Sequence, residues 1–190
     1  SFLLFLVAHL AGNLTLYGGQ DSFNSYAEHL HALGPLITIF EVGLLILAIV
    51  HVFTGTILFF QNRRARATRY VANARAGGRT IGSATMPYTG FIILLFVIWH
   101  LLNFHFVDKS QTTIWHIVAD AFQNPLYVVL YMAAMLVVAV HVSHGFWSLF
   151  QTLGANHPKY MPALMVVGLA VSVIFAVGFG FLPIYVALTV

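Results

Sequence analysis

Cysteine is absent from the chain. That excludes thiolate metal sites, iron-sulfur clusters and haem attached covalently through a C-x-x-C-H motif, so any redox centre held here must hang on histidine. Charge is nearly as scarce: Lys and Arg number 8 and Asp and Glu 5, together 7% of 190 residues, where a soluble domain carries about 25%. Hydrophobic residues make up 60% and the mean hydropathy is +0.90. A water-soluble fold is therefore excluded. No Pro/Gly/Ser-rich linker or shift in composition divides the chain, and residues 1–190 read as a single domain.

What is present is long apolar runs, near 1–17, 34–60, 84–107, 125–152 and 163–190. A bilayer core about 30 Å thick takes about 20 apolar residues per helix, so these predict an all-α integral membrane protein of five transmembrane helices. Prolines mark the borders: Pro35, Pro87, Pro125 and Pro162 open the second to fifth helices, a first-turn proline losing no bond because its N–H would be unpaired there. Between the first two runs, Asp21 to Leu33 has apolar Phe23, Tyr26, Leu30 and Leu33 at spacings of three and four, the pattern of a short interfacial helix. The chain opens on Ser1 already inside apolar sequence, without the basic n-region and cleavage site of a signal peptide. That start reads as a span whose first segment lies upstream.

Loop charge sets the orientation, since Lys and Arg collect on the cytoplasmic side. The loop from Gln61 to Ser83 holds Arg63, Arg64, Arg66, Arg69, Arg75 and Arg79 and no acid, whereas the loops near 18–33 and 108–124 carry Asp21, Glu28, Asp108, Lys109 and Asp120. The N-terminus is accordingly expected in the cytoplasm and the C-terminus outside; the expected location, apart from that argument, is a bacterial or archaeal cytoplasmic membrane. No nucleic acid is expected among the partners.

Two stretches repeat one another. His51-Val-Phe-Thr-Gly55 continues to Phe60-Gln61, and His141-Val-Ser-His-Gly145 continues to Phe150-Gln151. Val7-Ala8-His9-Leu10 and Ile98-Trp99-His100-Leu101 form a weaker pair. His9 to His51 is 42 residues and His100 to His141 is 41, which describes a duplicated two-helix unit with four histidines in register.

A helix rises about 1.5 Å per residue, so position along each run gives depth. His9 and His100 fall in the outer leaflet and His51 and His141 in the inner. Two level pairs, each split between two helices, meet the demand of bis-histidine haem b, whose iron takes one imidazole from each face of the porphyrin. Gly55 and Gly145, one turn beyond the inner pair on the same face, leave room for the macrocycle. The levels lie roughly 10 to 15 Å apart by helix rise, a spacing suited to carrying electrons through much of the membrane. The competing reading of each histidine alone is a hydrogen bond between helices.

His144, one turn inward of His141, is a rival ligand, but Thr54 holds its place in the first repeat; a haem propionate, a quinone or a packing hydrogen bond is its better expectation. His105 falls near the outer interface, and His29, His31, His116 and His157 fall in or near loops.

These residues resemble the di-haem cytochrome b membrane anchor of succinate:quinone oxidoreductases, the single-subunit, five-helix form found in succinate dehydrogenases and fumarate reductases. The resemblance covers essentially the whole chain. It rests on the four-histidine spacing, on Trp99-His100-Leu101-Leu102, on His141 through Gly154 with Asn156-His157-Pro158-Lys159-Tyr160, and on Phe23 to Glu28 before Leu30-His31. It implies His51 and His141 as axial ligands of a haem near the cytoplasm, and His9 and His100 as those of an outer haem. It further implies a flavoprotein that interconverts succinate and fumarate, an iron-sulfur protein docked on the cytoplasmic face, and a quinone, with menaquinone favoured. The loops 61–83 and 154–161 are the expected docking surfaces, although the arginines would fix topology regardless. Some relatives carry a glutamate two residues before the fourth-helix ligand, where this chain has Ala139 and so lacks the carboxylate of that transmembrane proton path.

Quinone chemistry moves protons with electrons and needs a titratable group near the outer haem. Glu41 is the one acid inside an apolar run, an ionisable residue of the kind that marks function in membranes. Glu28, His29 and His31 are candidate proton relays to it, and a structural hydrogen bond is the competing role for Glu41. Two other functions compete with the anchor reading: the haem b anchor of a hydrogenase, formate dehydrogenase or nitrate reductase, and a transporter that uses midplane histidines and Glu41, since parallel repeats also build transporters.

Overall fold

The computed structural model describes residues 2–65 and 80–190. Arg66, Arg69, Arg75 and Arg79 lie outside the described residues.

Seven α-helices account for nearly all of the described chain: α1 (Phe2–Asn13), α2 (Gly19–Ala32), α3 (Pro35–Arg64), α4 (Ile81–Phe104), α5 (Ile114–Phe122), α6 (Pro125–Thr152) and α7 (Met161–Thr189), with a 3-10 turn at Leu14–Gly18 joining α1 to α2. Among the described residues five helical segments are long and apolar enough to cross a membrane: Phe2–Ala32, α3, α4, α6 and α7. The first is bent. Gly19 has φ +85°, a left-handed conformation that glycine takes without penalty, and it turns α2 back until Tyr26 lies against Gly12 of α1. Thus α2 and the short α5 cap one end of the bundle, and the helix expected over 21–33 is found as α2.

Three proline borders fall as read: Pro35 and Pro125 begin α3 and α6, and Pro162 is the second residue of α7. The fourth does not. α4 begins six residues before Pro87, where Thr80 and Ser83 form a reciprocal capping box at 3.0 Å each way. That box satisfies two orphan donors and starts the helix early. Pro87 then lies inside it.

Lipid tails supply no hydrophobic drive for helix association, so packing relies on close backbone approach at small residues. Gly82, Gly168 and Gly178 are examples among the described residues. A Cβ on Gly82 of α4 would fall 2.7 Å from the His144 Cβ on α6, one on Gly168 of α7 3.1 Å from the Phe146 ring, and one on Gly178 2.9 Å from Leu10 of α1. The central helix is α6, which buries Tyr131, Ala134, Met135, Val138 and Val142 at spacings of three and four. At the capped end Leu16, Phe23, Val118, Phe122, Leu182 and Val186 close a second core around Tyr131. Asn24 Oδ1 accepts the backbone N–H of Trp115 at 3.2 Å, tying α2 to the first turn of α5. By contrast α3 has no buried residue and stands off from the other helices.

Candidate functional site

The helices bring the four repeat histidines together in two pairs. His9 of α1 faces His100 of α4 with ring centroids 5.9 Å apart and planes at 83°. His51 of α3 faces His141 of α6 at 6.3 Å and 81°. Among the described residues no three His, Asp or Glu side chains converge in a cluster fit for a metal ion; what exists is pairs.

Cross-helix contacts fix the separation of the levels. Phe2 of α1 packs edge-on to His51 at 5.6 Å, seven residues before His9. On α4, Thr89 contacts His141 and lies eleven residues before His100. On α6, Tyr131 contacts His100 and lies ten residues before His141. At about 1.5 Å per residue these give separations of roughly 10, 16 and 15 Å.

The residues present fit haem. With metal–imidazole nitrogen bonds of about 2.0 Å and ring nitrogens roughly 1.1 Å from their centroids, two imidazoles on opposite sides of one iron have centroids about 6.2 Å apart. Both pairs fall within a few tenths of an ångström of that spacing. Nothing lies within 4 Å of an ideal Cβ at Gly55 or Gly145, so space is open beside the inner pair. Aromatic rings line the outer pair: Phe5 stacks on His9 at 5.2 Å, Phe179 packs on it at 5.6 Å, and Phe96 stacks on His100 at 5.8 Å.

Polar partners at Nδ1 orient three of the four rings. Thr89 Oγ1 lies 3.0 Å from His141 Nδ1, Tyr131 OH lies 3.4 Å from His100 Nδ1, and Asn13 Nδ2 lies 3.5 Å from His9 Nδ1 while donating to the His9 carbonyl at 2.8 Å. Asn103 Nδ2 in turn donates to Tyr131 OH at 3.3 Å. An imidazole that donates from Nδ1 has Nε2 left for a metal; the Thr89 and Tyr131 hydroxyls can accept that proton, whereas the Asn13 amide nitrogen only donates. These second partners were not anticipated from sequence. A hydroxyl or amide in an apolar run carries no signal until the facing helix is known.

His144 is placed against the edge of Trp147, ring centroids 4.6 Å apart, and beneath Gly82; its Nδ1 is buried and has no hydrogen-bond partner. Glu41 is brought not to His29 or His31 but to His105, whose Nδ1 is 3.8 Å from Glu41 Oε1, both side chains being about half exposed. His29 and His31 sit at the last turn of α2 with Nδ1 turned to the backbone carbonyls of Ser25 at 2.6 Å and Ala27 at 2.7 Å. His105 is five residues beyond His100, so the Glu41–His105 pair lies on the capped side of the outer histidines. Asp108 nearby belongs to a turn: it accepts the Ser110 backbone N–H at 2.9 Å, which holds its carboxyl below the usual carboxylate range. Pro35, Thr38, Ile39 and Val42 line an open apolar depression on one face of α3.

Set beside known proteins, the chain is 25% identical over 154 residues, 80% of its own length and 72% of the relative's, to the succinate dehydrogenase cytochrome b558 subunit of Bacillus subtilis. No protein-family model matches the chain. No solved structure matches it either.

Proposed function

We propose that this chain is the membrane anchor and electron-transfer subunit of a succinate dehydrogenase or fumarate reductase complex, holding two bis-histidine b haems between a quinone pool and a cytoplasmic iron-sulfur subunit. The observation that carries the reading is the spacing of the two cross-helix histidine pairs, 5.9 and 6.3 Å between ring centroids. The relative supports it, being a succinate dehydrogenase cytochrome b subunit by name.

Haem bound at each level supplies a one-electron carrier. The chain's own residues do the rest. His51 and His141 would hold the iron near the arginine-bearing end and His9 and His100 would hold it near the capped end, while Gly55 and Gly145 keep the inner space clear. The caps α2 and α5, closed by the Phe23, Phe122 and Val186 cluster, keep water from the outer level. Glu41, with His105 beside it, accepts and returns the protons of quinone chemistry at that end, and the α3 depression takes the ring or the start of its isoprenoid tail. Menaquinone is the expected species. Arg63 and Arg64, exposed at the last turn of α3, face the cytoplasm and meet the iron-sulfur subunit, with the flavoprotein beyond it.

The test is the purified complex. A reduced-minus-oxidised spectrum should show a b-type α band, extraction should yield two non-covalent haems per chain, and both succinate:quinone and quinol:fumarate rates should be measurable. A preparation with wild-type helices and no haem b band would end the reading and leave the transporter alternative.

A further inference from the structure

Thr89 is one of two polar residues buried among the described residues, 8% exposed; the other, Ser172, spends its hydroxyl on its own helix at the Leu169 carbonyl. Thr89 also bonds its own helix, but it has a second neighbour. Its Oγ1 lies 3.1 Å from the carbonyl oxygens of both Thr85 and Met86, and 3.0 Å from His141 Nδ1 across the α4/α6 interface. A hydroxyl has one proton and two lone pairs. Two backbone acceptors lie where that proton goes in a helical threonine, shared between the carbonyls three and four residues back. The lone pair facing His141 then receives a proton rather than giving one.

We infer that Thr89 is the positioning residue of the inner site: it locks His141 in the tautomer with the proton on Nδ1, directs Nε2 at His51, and lowers the reduction potential of the haem held there relative to an unassisted imidazole. The inference rests on the haem reading given above. A hydrogen bond donated from Nδ1 pushes electron density onto the ring, makes Nε2 a stronger donor, and so favours the oxidised, more electron-poor metal. The neighbouring geometry admits no substitute. A Cβ on Gly90 would lie 3.4 Å from His141 Cε1, so the backbone of α4 comes right up to the ring edge, and Thr89 is the side chain beside it. Among the described residues no side chain hydrogen-bonds to His51, so the inner pair is polarised from one side only. At the outer pair the hydroxyl contact is longer, 3.4 Å from Tyr131 to His100 Nδ1, and the group near His9 Nδ1 is the Asn13 amide nitrogen at 3.5 Å, a donor that cannot accept the ring proton.

The experiment is a potentiometric titration of the full complex, following both b haems optically, in wild type, Thr89→Val and Thr89→Ser. Second-partner losses change metal affinity by about 10- to 100-fold; a tenfold bias between oxidation states is about 59 mV for one electron. Thr89→Val should raise one midpoint potential by about that amount and leave the other in place, while Thr89→Ser, which keeps the hydroxyl, should behave as wild type. Loss of one haem in the valine variant, with retention of both in the serine variant, has the same meaning. No shift, a shift of both haems together, a fall in potential, or equal effects of valine and serine would overturn the inference. Two wild-type haems with an unmoved Thr89→Val potential would sink only this inference, whereas a wild-type complex without haem b would sink the anchor reading itself.

Discussion

The pairing of the histidines makes a prediction about non-additivity. Replace each of the four by alanine, singly and in all six double combinations, and count haem per chain by extraction from the purified complex. Every single variant should hold one haem instead of two. The doubles should then divide by geometry: His9→Ala with His100→Ala, or His51→Ala with His141→Ala, should also hold one, because the second loss falls on a site already empty. The four cross-pair doubles should hold none. Packing does not confound this count. Removing His9 forfeits its contacts with Phe5 at 5.2 Å and Phe179 at 5.6 Å, and aromatic contacts are worth about 0.5–1.5 kcal/mol each. That is small beside the roughly 5–15 kcal/mol by which folded proteins exceed their unfolded chains. His51, whose ring meets Phe2 at 5.6 Å, has less still to lose. His144 should not stand in for His141, because its ring is held against Trp147 under Gly82. A within-pair double lacking both haems, or a cross-pair double retaining one, would refute the pairing.

Three further outcomes are expected. Gly145→Leu should lose the inner haem by spectrum while the helices still insert and assemble, since no protein atom lies within 4 Å of an added Cβ there; two haems retained in that variant would mean the open space belongs to lipid. Glu41→Gln should abolish quinol-linked turnover with both haem spectra intact, and normal turnover would remove Glu41 from the mechanism. Gly82→Val must part α4 from α6, where the first added carbon already meets the His144 Cβ at 2.7 Å and the Val140 carbonyl oxygen at 3.2 Å. Overpacking of this kind costs about 1–3 kcal/mol, so the melting temperature of the complex should fall, and an unchanged melt would show that the helices do not approach as closely as described.

Much of this was legible because repeats and periodicity are properties of one dimension. The duplication put His9, His51, His100 and His141 in register, and fixed helix rise turned register into depth. Proline marked helix starts where nothing stronger competed, but at Pro87 the Thr80–Ser83 capping box acts earlier and decides the boundary. The nine-residue α5 was missed because it is short and amphipathic, in a stretch read only as loop. Contacts between distant segments were not legible at all. His105 meets Glu41 across 64 residues of sequence, and Thr89 meets His141 across 52. Neither residue stands in a pattern that announces its partner; only the packing of α4 on its neighbours does.

The chain also constrains how charge moves between the two levels. Residues 2–9 of α1, 89–100 of α4 and 131–141 of α6 contain no carboxylate, lysine or arginine, and α7 contains none along its whole length. On α3, Glu41 sits about ten residues from His51, toward the capped end, and no other acid follows it on that helix. Along these segments a proton released beside Glu41 meets no carboxylate, lysine or arginine on the way to the arginine-bearing end, and Ala139 occupies the position two residues before His141. Under the proposed function, electrons that pass from the outer pair to the inner pair without protons beside them would separate charge across the bilayer. Moving one elementary charge through the full membrane potential is worth about 2.3 kcal/mol per 100 mV, and the two levels cover about a third to a half of a core about 30 Å thick. The direction in which such a complex runs would then be coupled to membrane potential.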